Sequence, residues 1–394
     1  MPKTVILGTA RTPFGKMGGA LASFDATDLG GHVIENALLR AEVSGDQVQH
    51  VIVGQVLQAG QGQVPSRQAQ IKGGIPKEVS SETVNKVCAS GMRAAGIVDQ
   101  QVRAGDLNVA VAAGMESMSK APYMLPKARF GYRMGDAKML DAMVHDGLTN
   151  PFTGKQMFVE ATEVGDELEI TRADMDKFAL QSHDRAIAAT DDGRLAEEIA
   201  PVTISSKKGD TVVEVDEPPR RGSSLESLAK LPGLTGKDGS HTAGNAPGVN
   251  DGAGALVLSS DEWAKANGKT PLATIIGQAA VADDFPYLAR TPANATKKAL
   301  EQAGLSIDDI DLFEINEAFA SVAINSLRML GVDEDKVNVN GGAIAMGHPI
   351  GASGARILGA LVHELRRRGG GLGVAAICSG GGQGDAVILE VAGG

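Results

Sequence analysis

Four residues of this 394-residue chain join a reactive side chain to neighbours that would hold it still. His348 stands between Gly347 and Pro349 in the stretch Asn338 to Gly354. Gly347 permits a tight turn, and Pro349 biases the residue before it away from the α region, so the imidazole is expected on a rigid loop. Cys88 follows the strand-like run Thr83 to Val87 and opens a helix running to about Arg103. A helix N-terminus favours a thiolate through its dipole and free N–H groups, which places Cys88 as a nucleophile whose proton a neutral His348 could accept. Cys378 follows the strand Gly373 to Ile377 and runs into the glycine-rich turn Ser379 to Gly384, whose N–H groups can converge on an oxyanion. Asn316 lies at a strand end, in Glu314 to Ala320. Taken singly, each cysteine is an inert buried thiol by default, so the chemistry depends on a fold that brings the four together.

The elements that must do this recur along the chain. Strand and helix signals alternate from Val5 to Leu7, through a helix over Asp28 to Arg40 and a strand over Val51 to Val53, the pattern of parallel βα units. Ala37 to Val53 aligns with Ala299 to Ile315 at a constant offset of 262, and Ala89-Ser90-Gly91 aligns with Ala352-Ser353-Gly354 at 263. A register that holds so well predicts a duplicated α/β domain packed about a pseudo-twofold axis, with its reactive loops at the carboxyl ends of the strands. Residues 119–249 match neither copy and read as an insertion. Inside it, Thr171 and Asp174 form a capping-box pattern ahead of Met175, Phe178, Ala179 and Ala186. The run Ala253 to Leu258 returns to strand and completes the first sheet. Thr291-Pro292 through Gly304 marks a helix with an N-terminal proline and a C-terminal glycine. Ser353 or a neighbour is expected to cap the helix carrying Ala355, Ile357, Leu358, Leu361, Val362 and Leu365. The expected division is 1–118 with 250–270 as one half, 119–249 as the insertion and 271–394 as the other half.

Composition narrows the function. A net charge of −11 argues against a nucleic-acid partner. Two cysteines exclude a disulfide framework. Met1 leads straight into Thr4 to Leu7, and no run of 18 apolar residues occurs, so no membrane partner and a cytoplasmic location are expected.

The motifs carry a resemblance to the thiolase family, of the acetyl-CoA acetyltransferase type. It rests on Asn85-Lys-Val-Cys88-Ala-Ser-Gly-Met-Arg-Ala94, Gly114-Met-Glu-Ser-Met-Ser119, Thr242-Ala-Gly-Asn245, Asn316-Glu-Ala-Phe-Ala320, Gly341 to Gly354 and Cys378-Ser-Gly-Gly-Gly382, all in order along the chain. The resemblance implies an α/β fold of two βαβαβαββ halves in five αβαβα layers, with a long loop domain inserted in the first. It further implies that Cys88 is acylated by a first acyl-CoA, with His348 activating it and helping to form one oxyanion hole. Asn316 would hold a water completing that hole. Cys378 would act as acid and base on the second acetyl-CoA, and the N–H groups of Cys88 and Gly380 would form the other hole. Leu148, Met157, Arg220, Ala243, Ala318 and Phe319 match positions lining a coenzyme A channel. Gln156 and Pro247 depart from the pattern, with histidine and serine frequent at those places, and both departures bear on acyl-chain preference and coenzyme A affinity. Coenzyme A thioesters would be substrates, with no permanently bound cofactor, no metal, and a homodimer or homotetramer as the assembly. The implied reaction is a reversible condensation of two acetyl-CoA, with a broad-chain 3-ketoacyl-CoA thiolase as the alternative and a non-catalytic acyl-CoA-binding protein as a distant one. A ketoacyl synthase is disfavoured by Asn316 with Glu-Ala-Phe after it and by Cys378 as the base. Arg220 is the preferred nucleotide contact, because a planar guanidinium can stack on adenine and meet phosphate.

Overall fold

The computed structural model describes residues 2–393. Its nine longer strands are β1 (Thr4–Arg11), β2 (His50–Gly54), β3 (Ser80–Val84), β4 (Val109–Ser117), β5 (Asn250–Ser260), β6 (Ala273–Ala282), β7 (Leu312–Ile315), β8 (Gly371–Ser379) and β9 (Gln383–Val391). They form one hydrogen-bonded sheet in the order β7-β8-β9-β6-β1-β5-β4-β2-β3. The two halves meet where β1 pairs antiparallel with β6, Thr4 opposite Ile275 and Ile6 opposite Ala273. On either side of that seam the pairing repeats: two antiparallel steps inward, then a parallel pair, β4 with β2 in the first half and β8 with β7 in the second. The parallel bridge Phe313 to Val337 occupies the place in the second half that β3 has in the first.

The main helices are α1 (Ala26–Ala41), α2 (Pro65–Lys72), α3 (Ser90–Ala104), α4 (Met157–Glu167), α5 (Arg172–Asp191), α6 (Thr291–Ala303), α7 (Ala320–Leu330) and α8 (Ser353–Arg367). Strands buried on both faces should read as nearly continuous apolar runs, and β4 and β8 do. Val109, Val111 and Ala113 face one apolar cluster with α1, whereas Ala110 and Ala112 face a second that holds α3 and α8. In the other half Ala375 and Ile377 share that central cluster, and Val374 and Ala376 face a third against α6 and α7. Three clusters separate five layers, helix-sheet-helix-sheet-helix, with α3 and α8 in the middle. Those two helices touch backbone to backbone, since a Cβ added at Gly91 would lie 2.9 Å from the Ala355 nitrogen.

Several expected elements appear with extended bounds. The helix over 28–40 is α1, and Thr171 caps α5 through the expected box, accepting from the Asp174 N–H. Gly304 closes α6 with φ 70°. The cap of α8 differs from expectation. Its N-cap is Ala352 without a side-chain bond, because the Ser353 hydroxyl is occupied elsewhere. The segment between β4 and β5 packs back on the core through Arg11, whose guanidinium is buried against Glu198 at 2.9 Å and Asp216 at 2.7 Å. No helix among the described residues is long and apolar enough to cross a membrane.

Candidate active site

Cys88 lies two residues before α3, on a turn that the structure holds under strain. Val87 before it adopts φ 42°, an uncommon conformation for a β-branched residue. Ser90 stabilises the turn, accepting from the Lys86 N–H at 2.8 Å and donating to the Val87 carbonyl at 2.6 Å. The β8–β9 hairpin is fastened to the same turn: the Ser379 hydroxyl donates to the Lys86 carbonyl, and Lys86 pairs with Asp385. This clamp brings the tip of the hairpin to Cys88, where the Gly380 N–H and that of Cys88 itself favour the thiolate form. Gly381 and Gly382 make the hairpin turn with φ 76° and 69°.

Burial opposes the thiolate that the helix start favours. Burial pushes the Cys88 thiol up to about 12, and the two N–H groups only partly offset it, with the Glu116 charge adding to the rise. Cys88 therefore rests as a thiol and needs a base.

His348 is built as that base. Burial drives its imidazole down to about 3, with Arg356 contributing, so the ring is neutral near pH 7. The tautomer follows from Ser353. Its hydroxyl has one proton, directed to the Pro349 carbonyl at 3.0 Å, so it accepts from His348 Nδ1–H at 2.6 Å. The Nε2 lone pair is left without a protein partner. Asn250 completes the support, accepting the His348 backbone N–H at 2.9 Å.

A cavity of about 170 Å³ is lined by Cys88, His348, Leu148, Met157, Ala318 and Phe319, with Gln156 and Pro247 also on its wall. Met157 is shared with a second cavity of about 230 Å³ that reaches Val87 and Gly380. Cys378 is fully buried at the end of β8, and its thiol is raised well above its ordinary value of 9.0 by burial and then by charge on Cys88. Asn316 is likewise fully buried just after β7, and neither Oδ1 nor Nδ2 has a hydrogen-bond partner in the protein. Such an orphaned amide is rare in native proteins and marks a place where a polar partner is expected. Asn316, Cys378 and Gly380 do not line the first cavity, and Arg220 and Ala243 lie exposed outside it.

Several other residues of the site had no role legible in the sequence. Met118, Phe158, Val249 and Ile350 line the cavity but read as ordinary apolar residues. Ser353 was legible only as a helix cap. His241 orients Phe319 edge-on at 5.5 Å and bonds Ser321 at 3.1 Å. Among the described residues, no group of three or more His, Cys, Asp or Glu is arranged to hold a metal ion.

A helix-flanked doubled sheet, a buried thiol under two N–H groups and a neutral imidazole in the same cavity define a thiol acyltransferase architecture. The chain belongs to the thiolase family: the thiolase N-terminal domain matches residues 4–262 and the thiolase C-terminal domain residues 269–391. It is 48% identical to a probable acetyl-CoA acetyltransferase of Mycolicibacterium smegmatis, over 98% of this chain and 100% of that protein. It is also 48% identical to an acetyl-CoA acetyltransferase of Cupriavidus necator, over 99% of this chain and 100% of that protein. A solved structure of an acetyl-CoA acetyltransferase from Syntrophomonas wolfei superposes with a TM-score of 0.97 at 40% identity, covering 99% of this chain and 100% of that one.

Proposed function

We propose that this chain is an acetyl-CoA C-acetyltransferase, condensing two acetyl-CoA reversibly to acetoacetyl-CoA and coenzyme A through an acetyl-Cys88 intermediate. The observation that carries the reading is the pairing of a buried Cys88 thiol with a neutral His348 whose Nε2 is free, in one small apolar cavity. Full-length relatives that bear this name support the substrate.

In the first half-reaction, His348 Nε2 takes the Cys88 proton and the sulfur attacks the thioester carbonyl. The carbon–sulfur bond to coenzyme A then breaks, and its sulfur takes the proton of Cys378. Cys88 is now a neutral thioester, and burial keeps the Cys378 pKa well above its ordinary value. A thiolate with so elevated a pKa is a strong base, suited to removing the weakly acidic α-proton of the second acetyl-CoA. The carbanion attacks the acetyl carbonyl, and Cys88 leaves as thiolate and regains its proton from His348. All three protons are accounted for, and both cysteines end as thiols. The N–H groups of Cys88 and Gly380 stabilise the oxyanion on the thioester carbonyl of the acyl-enzyme, while His348 and a water held by Asn316 stabilise that of the second acetyl-CoA.

Leu148, Met157, Pro247, Ala318 and Phe319 line the pantetheine and acyl path, with Ala243 and Arg220 further out toward the nucleotide. The chain divides into halves 1–118 with 250–270 and 271–394, and the inserted domain 119–249. It acts as a homodimer or homotetramer; the sheet-edge strand β3 and the exposed side chains of Phe130 and Met134 are the surfaces that favour self-association. Comparing thiolysis of acetoacetyl-CoA with that of longer 3-ketoacyl-CoA substrates tests the acetyl preference. Equal kcat/KM across chain lengths would contradict it and favour the broad-chain reading.

A further inference from the structure

The repeat that relates the halves carries the active site onto a second place in the molecule. Helices α3 and α8 are equal in length and start 263 residues apart, at Ser90 and Ser353, and strands β4 and β8 start 262 apart, at Val109 and Gly371. Under these offsets Cys88 corresponds to Gly351 and Cys378 to Glu116. At the first place, the two cysteines lie close enough for a charge on Cys88 to raise the Cys378 thiol. At the second, Glu116 touches the mate of Cys88: its Oε2 accepts the Gly351 N–H at 3.0 Å.

Glu116 is fully buried and has no ion-pair partner among the described residues. It is held by backbone alone. Oε2 also accepts from the Val56 N–H and Oε1 from the Leu57 N–H, each at 3.1 Å. Val56 and Leu57 follow β2 in the first half, whereas Gly351 lies three residues beyond His348 in the second, so one carboxylate fastens the loops of both halves together. The fit at Gly351 leaves no space for a side chain, because a Cβ there would lie 2.7 Å from Oε2. Val56, Leu57, Cys88 and Ile350 pack in the same apolar cluster.

We propose that Glu116 is a positioning residue for acyl transfer: its carboxylate fixes the His348 loop against the first half and keeps Nε2 aimed at Cys88. The proposal rests on the reading of Cys88 and His348 as the acylating pair. The repeat mate of the second catalytic cysteine is thus a carboxyl staple for the loop that carries the base, its pKa raised to about 7 by burial and its ionised form favoured by the three N–H donors. A carboxylate suits this task because it is an acceptor at both oxygens, and three donors converge on it.

Glu116→Gln is the probe, since it preserves volume but turns an amide NH2 toward at least one of the three N–H groups. The variant is compared with wild type and Glu116→Asp in steady-state condensation, in alkylation of Cys88 by iodoacetamide, which needs His348 to take the proton, and in thermal unfolding. The expected result for Glu116→Gln is a loss in kcat on the order of 100-fold with KM for acetyl-CoA unchanged, as for a displacement of about 1 Å in a catalytic group. Cys88 alkylation should slow in parallel, and Glu116→Asp, again an acceptor at both oxygens, should recover part of the rate. Wild-type kcat and alkylation in Glu116→Gln would overturn the proposal, as would a loss that only tracks the unfolded fraction. Acetylation of wild-type Cys88, measured alongside, tests the underlying reading separately, and its absence would overturn both.

Discussion

Removing the hydroxyl of Ser353 should disable the base while leaving the fold intact. The Ser353 oxygen is the sole protein acceptor for His348 Nδ1–H, at 2.6 Å in a buried site. When Nε2 takes the Cys88 proton, the imidazole becomes a cation, and this hydrogen bond becomes charge-assisted. Hydrogen bonds to charged groups contribute about 1.5–3 kcal/mol. At about 1.4 kcal/mol per factor of ten, Ser353→Ala should slow acylation about 10- to 150-fold. The ground state is affected less, because a neutral imidazole weakens the bond and burial already keeps the ring uncharged. The assay is rapid-quench measurement of acetyl-Cys88 formation at saturating acetyl-CoA, with KM determined in parallel. An acylation rate within twofold of wild type would refute the tautomer assignment, and so would a loss confined to KM.

Three further outcomes are expected. Cys378→Ser should still form acetyl-Cys88 from acetyl-CoA, more slowly because Cys378 protonates the leaving coenzyme A, yet lose far more of the condensation, because only the second half-reaction needs a base at the substrate α-carbon; equal loss of both half-reactions would count against Cys378 as that base. Arg220→Ala should raise KM for coenzyme A substrates with little change in kcat, because this exposed guanidinium has no ion-pair partner among the described residues and the chain as a whole is acidic. A pantetheine thioester lacking the nucleotide should show no such effect, and an equal loss on both substrates would contradict the assignment. The buried histidines should make stability fall on acidification below pH 6.5. His183, His241 and His348 are pushed down to about 4, 4 and 3 by burial, so between pH 6.5 and about 4 the unfolded chain binds protons that the native chain does not. Glu116 and Glu314, raised to about 7 and about 8 by burial, act in the opposite sense above pH 4.5. His241→Gln should therefore lose less of its urea midpoint between pH 6.5 and 5 than wild type does, and an unchanged pH dependence would count against the buried neutral ring.

Much of the architecture was legible because it is periodic. The offset of 262 to 263 residues foretold α8 from α3 and β7 from β2, and strand runs such as Gly373 to Ile377 announced the strands that end at the reactive loops. The reactive residues were legible because glycine and proline around them constrain the backbone. What sequence could not supply was the balance of opposed effects on one atom. Proximity to a helix start argued for a Cys88 thiolate, and burial, visible only in three dimensions, reversed the sign. Ser353 was read as a cap since local spacing permits that, but the turn at Pro349 folds its hydroxyl back onto His348. Glu116 fell inside the Gly114 to Ser119 motif, but its role was not legible, because its three donors come from segments about 60 and 235 residues away. Cavity-lining residues such as Met118 and Ile350 are indistinguishable in sequence from core.

The central claim is that acyl transfer passes through Cys88, and mass spectrometry of the intact protein and its peptides after mixing with acetyl-CoA tests it most directly. The account predicts one added acetyl group, on the peptide containing Cys88, that disappears when coenzyme A is added. It also predicts no adduct in Cys88→Ala. An unmodified Cys88 during turnover, or an acetyl group found only on another residue, would contradict it.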